Sequence, residues 1–113
     1  MKVVHVTHEA VEKIGGIGAV IAGLVTADAY REQVSRTVLV GPLLKTDTEG
    51  PRLGPEGTVL YSSLDEVTPD DWARRFRPVE RTHDVHVIYG TRPVEDACTG
   101  QRVEAEVLLI DVF

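Results

Sequence analysis

The stretch "KVVHVTHEAVEKIGGIGAVIAG", Lys2 to Gly23, places a short β-branched run, a turn with Gly15, Gly16 and Gly18, and a helically spaced segment in direct succession. Lys2 to Thr7 is bounded by polar residues and predicts a strand buried on both faces, as in the interior of a parallel sheet. Ile17, Val20, Ile21 and Leu24 recur at helical intervals, and the pattern fades near Tyr30-Arg31-Glu32, which predicts one helix. Arg36 to Val40 is a second β-branched run stopped by Gly41-Pro42, so residues 2 to 40 read as a βαβ unit. Three glycines in one strand-to-helix turn serve either close helix packing or the close approach of a ligand.

Downstream, Leu43 to Gly57 is rich in glycine and proline among charges and predicts a surface loop. Thr58 to Tyr61 predicts a short strand. Thr68-Pro69-Asp70-Asp71 then reads as an N-cap, a proline at the first helical position and acids suited to the helix dipole. Trp72 and Phe76, four apart, are expected on that helix's buried face. Val85 to Tyr89 and Glu106 to Val112 predict two further strands paired as a hairpin across the polar connection Pro93 to Arg102. Val107-Leu108-Leu109-Ile110 lies near the final residue Phe113, where an α/β chain would continue into a further helix. The chain is therefore read as a fragment whose cut sheet self-associates or awaits a missing second domain.

The whole length of 113 residues fits one domain, 1–113, with one hydrophobic core. A formal charge of -6 argues against a nucleic-acid surface, which needs a basic stripe. Neither an export signal nor a membrane-length apolar segment is visible, and the single cysteine, Cys98, fits a reducing cytoplasm. His5-x-x-His8 and His83-x-x-His86 place their side chains on opposite faces of a strand, so no metal site is expected. His5 reads as a satisfied core histidine, the arginines 74, 75, 77 and 81 as a solvated helix face, and Cys98 as an inert loop thiol.

The turn after the first strand lies where α/β sheets bind anions, and Lys13 with the bare backbone of Gly15 and Gly16 suits a diphosphate. The familiar phosphate motifs do not fit. Gly16 and Gly18 are followed by Ile21 where a dinucleotide fingerprint needs a third glycine, and Leu24-Val25 replaces the Lys-Ser/Thr of a P-loop.

Glu9-Ala10-Val11-Glu12-Lys13-Ile14-Gly15-Gly16-Ile17, behind Val3-Val4-His5-Val6, resembles the amino-terminal segment of glycogen and starch synthases, with their Lys-x-Gly-Gly motif. The acid four residues before the lysine is similar to the eukaryotic glycogen synthases in particular. The resemblance covers about residues 1 to 45. It implies a retaining glycosyltransferase that moves glucose from ADP-glucose or UDP-glucose onto an α-glucan. The implied fold is a Rossmann-like three-layer α/β domain with a mostly parallel sheet, an incomplete amino-terminal half of the GT-B type.

It also implies donor-binding roles for Lys13, Gly15 and Gly16, with His8 and Glu9 as cleft residues. No protein nucleophile is expected, because the acceptor hydroxyl attacks, and no metal or cofactor is expected either. The facing carboxy-terminal domain that supplies most nucleotide contacts is absent, so the chain alone is expected to be inactive. Two other readings stay open: a non-catalytic nucleotide-sugar or glucan binding module, and a structural assembly partner.

Overall fold

The computed structural model describes residues 1–7, 10, 16–43, 52–54 and 56–112, without the side chains of residues 16–19 and 112. The elements run β1 (Lys2–Val6), α1 (Gly16–Thr26), α2 (Asp28–Gln33), β2 (Arg36–Pro42), β3 (Thr58–Ser62), α3 (Asp70–His83), β4 (Val85–Glu95) and β5 (Arg102–Val112). The five strands form one sheet in the order β1-β2-β5-β4-β3.

The βαβ unit forms as read: β1 pairs parallel with β2, Lys2 opposite Arg36 and Val6 opposite Val40. The predicted hairpin also forms, but its strands are longer than the apolar runs. Val85 to Glu95 pairs antiparallel with Arg102 to Val112 in a ladder of eleven residue pairs. Pro93 lies inside β4, opposite Glu104, and the turn is closed by Asp96 and Gly100, whose φ of +74° suits glycine.

The expected Rossmann-like three-layer fold with a mostly parallel sheet, and with it the GT-B half-domain, is overturned. The sheet is mixed: β1–β2 and β2–β5 are parallel, while β5–β4 and β4–β3 are antiparallel, and the longest ladder is antiparallel. Among the described residues only one connection, β1 to β2, is a helical crossover between parallel neighbours. A short hairpin cannot return the chain parallel, so β5 inserts antiparallel to β4 and parallel to β2. Helices are correspondingly few among the described residues.

Two apolar clusters flank the sheet. On one face Ala22 and Val25 of α1 pack with Leu39, Ile88, Val107 and Leu109. On the other, Trp72, Ala73 and Phe76 of α3 pack on Tyr61, Val87 and Tyr89, with the Trp72 and Tyr89 rings 4.6 Å apart. The alternation of Val87, Ile88 and Tyr89 between these clusters follows the period of two of a strand. Helix α3 packs on β3 and β4, so the second face of β1 and β2 has no helix over it among the described residues.

Several local expectations are corrected. Strand β1 is an edge strand, not an interior one, and Val4 and Val6 are 59% and 80% exposed. In α1 the buried stripe is Ala22 and Val25, whereas Val20 and Leu24 face outward. The helix also stops at Thr26, whose Oγ1 bonds back to the Ala22 carbonyl at 2.6 Å. Ala27 is extended before α2 begins. Pro69, with ψ of 142°, is the N-cap of α3, which moves Thr68 outside the helix. The cut edge expected at β5 is likewise absent, because β5 lies at the centre of the sheet.

Candidate functional site

Two regions at the same end of the sheet bring chemistry-bearing residues together. The first is the carboxyl end of the parallel pair β1–β2. The Thr7 amide donates to the Val40 carbonyl at 2.8 Å and extends the pairing one step beyond Val6. Gly41 then passes so close beneath Thr7 that a Cβ there would collide with the Thr7 carbonyl oxygen, and Ala10 is buried beside it. Gly16 is the first residue of α1. The other sequence-predicted site residues, His8, Glu9, Lys13 and Gly15, lie outside the described residues. His5 is half-buried and satisfied: its Nε2 lies 3.0 Å from the Tyr30 hydroxyl, which in turn lies 2.9 Å from Thr37 Oγ1.

The second region was not singled out by sequence. Trp72, Phe76 and Glu80 recur every four residues on α3, so the inward stripe of this helix ends in a carboxylate. Glu80 is only 9% exposed. Its burial is matched by donors: the Tyr61 hydroxyl bonds to Oε1, and the Ser63 hydroxyl and the Val87 amide bond to Oε2, the amide at 2.9 Å. Burial alone would push the Glu80 carboxyl up, but bonds from Ser63, Tyr61 and Val87, with His86 nearby, outweigh it and hold the group below its ordinary value. Tyr61 moves the other way, to about 12, by burial first and by the adjoining carboxylate second.

His86 Nδ1 lies 2.9 Å from Ser63 Oγ and 4.0 Å from Glu80 Oε2. Serine, histidine and an acid are therefore adjacent, but their order differs from that of a nucleophilic triad. The single Ser63 proton goes to Glu80, so Ser63 accepts from the Nδ1–H of His86. The serine lies between acid and imidazole and is not activated by the ring; the network fastens β3, α3 and β4 together.

Above this network opens a broad polar groove of about 700 Å³, lined among others by Thr68, Arg77, Arg81 and His86. Arg74, Arg75, Arg77 and Arg81 are all exposed, as the solvated-face reading expected. Arg74 lies 3.8 Å from Asp71, and Arg75 sits over the Trp72 ring. Cys98 is an exposed free thiol. Among the described residues no group of three or more His, Cys, Asp or Glu could hold a metal ion, and no helix is long and apolar enough to cross a membrane.

Comparison with protein families, curated proteins and solved structures finds no match to this chain.

Proposed function

We propose that this chain is the amino-terminal portion of a cytoplasmic glucosyltransferase resembling the glycogen and starch synthases, using ADP-glucose or UDP-glucose and an α-glucan acceptor. One observation supports the reading most: α1 begins at Gly16, the last residue of the Lys-x-Gly-Gly motif, behind the carboxyl end of a parallel strand pair. That is where helix amides and a nearby lysine favour a diphosphate. In the transfer, the acceptor hydroxyl oxygen bonds to the glucose C1 as the bond from C1 to the diphosphate oxygen breaks, and the hydroxyl proton passes to the departing diphosphate. Lys13 and the backbone of Gly15 and Gly16 would stabilise the charge gathering on that leaving group, a positioning and electrostatic role. His8 and Glu9 would line the same cleft.

The test is titration of the isolated chain with ADP-glucose and UDP-glucose, followed by amide shifts at Gly16 to Val20. A saturable response that falls roughly tenfold or more in Lys13→Ala supports the reading, since a charge-assisted contact contributes on the order of 1.5–3 kcal/mol. A response unchanged in Lys13→Ala removes the lysine from the site. The isolated chain is expected to transfer no radiolabelled glucose, because this reading places the other side of the cleft on a separate domain. The central place of β5 favours a second reading, a self-contained nucleotide-sugar binding module. Its mark is donor binding by a monodisperse, cooperatively melting monomer.

A further inference from the structure

The groove between α3 and the facing ends of β3 and β4 has features that the donor turn does not explain. Arg77 and Arg81 stand one helical turn apart on its wall. Neither guanidinium makes a hydrogen bond or ion pair with a described residue, whereas Arg36, Arg52, Arg74 and Arg102 each have a carboxylate partner. Glu80 beneath them is already saturated by three donors and is not held by the arginines.

Glu66 and Asp84 also line the groove. They are the two non-glycine residues with positive φ among those described, at +59° and +53°. Asp84 caps α3 in that conformation, a common role for aspartate, but Glu66 has no such default. The groove therefore offers two guanidinium forks without a hydrogen-bond or ion-pair partner among the described residues, the carboxylates of Glu66 and Asp84, and the polar side chains of Ser63, Thr68 and His86.

We propose that this groove binds a small organic anion that also carries hydroxyl or amino donors. A guanidinium fork matches the paired oxygens of a carboxylate or phosphate. The carboxylates of Glu66 and Asp84 repel a bare anion but accept hydrogen bonds from donors on its body. Charge of both signs thus selects a ligand bearing acceptors at one end and donors at the other.

The groove lies beside edge strand β3 on the face that α3 covers, whereas α1 packs on the opposite face of the sheet. The two sites can be read separately in one spectrum.

The experiment titrates the full chain with glycerol 3-phosphate, serine, inorganic phosphate and glycerol, following the amides of Ser63 to Thr68 and His83 to Val87. Glycerol 3-phosphate or serine should give a saturable response about tenfold tighter than inorganic phosphate, because the added donors engage the carboxylates. The better of the two probes identifies a phosphorylated polyol or an amino acid as the source. Arg77→Ala with Arg81→Ala should abolish the response, and Arg74→Ala should leave it intact. Glu66→Gln with Asp84→Asn should weaken the donor-bearing probes and tighten inorganic phosphate. No saturable response to either organic anion, equal affinity for inorganic phosphate, or a response that survives loss of both arginines would overturn the proposal.

Discussion

The hydroxyl of Tyr61 donates to the carboxylate of Glu80 inside the molecule, joining strand β3 to the inward face of helix α3. Removing that carboxylate strands three donors at once: Tyr61, Ser63 and the Val87 amide. An unsatisfied buried donor costs about 1–3 kcal/mol, and Ser63 is only half-buried, so Glu80→Ala should lose roughly 2–4 kcal/mol. Glu80→Gln keeps one acceptor oxygen and should lose less. Urea unfolding of both variants checks this, and a Glu80→Ala midpoint equal to the parent's would show that the network contributes nothing.

The same pair sets both limbs of the stability profile. Glu80 is held below its ordinary value, so its stabilisation is full above the unfolded carboxylate value of about 4.3 and is lost as pH falls through the native value. Asp65, lowered by its bonds from Arg52, and Glu106, lowered by Arg36, act in the same direction. Tyr61 is raised to about 12, so its share is full below pH about 10 and lost between the two values. Unfolding free energies measured across pH should therefore fall at both ends, and Tyr61→Phe should flatten the alkaline limb while retaining the contributions of Asp65 and Glu106 to the acid limb.

Gly41 and Gly90 should resist even a methyl group. A Cβ at Gly41 meets the Thr7 carbonyl oxygen, and one at Gly90 meets the Thr58 carbonyl oxygen and a Leu53 methyl. Backbone must shift in both cases, so Gly41→Ala and Gly90→Ala should each destabilise by about 1–3 kcal/mol. Gly23 in α1 has open space around its Cβ position, and Gly23→Ala should stabilise by about 0.5–1 kcal/mol. Thermal melts of the three variants give the signs directly.

Among the described residues, strand β1 carries an unpaired edge beside the outward side chains of Val4 and Val6, without a proline or bulge to blunt it. The isolated chain should associate through this edge in a concentration-dependent way. Val6→Lys should reduce the association without lowering the melting temperature, because the side chain is already in solvent. Light scattering across a dilution series decides it, and a parent that stays monomeric at every concentration would show that the edge is inert.

Local elements were legible where periodicity and punctuation agreed. The β-branched runs at Lys2 and Arg36 gave a parallel pair, and the four-residue spacing of Trp72 and Phe76 gave the buried face of α3. The sheet order was not legible, because nothing in Val107 to Ile110 distinguishes a strand inserted between β2 and β4 from one at a margin. The same ambiguity put β1 inside the sheet: Val3, Val4 and Val6 suit burial on two faces, but only partners distant in sequence decide whether the second face is covered. The Glu80 network needed one further step, since a charged residue at the next inward position after Phe76 signals a buried carboxylate awaiting donors. The glycine turn, the most informative stretch to read, lies largely outside the described residues.

The central position of β5 has a consequence for the order in which this chain can become a protein. Residues up to 43 build one half-sheet, β1 with β2, and residues 58–95 build another, β3 with β4; among the described strands only β5 touches both halves. Until residues 102–112 emerge from the ribosome, the halves have no shared ladder, and the apolar surfaces of Leu39 and Ile88 lack the strand that lies between them. The keystone is synthesised after everything it joins, so folding closes late through distant contacts. A chain halted before residue 102 would hold two strand pairs without a shared ladder, with packing such as that of α1 on β4 left between them, and not a smaller version of the same sheet.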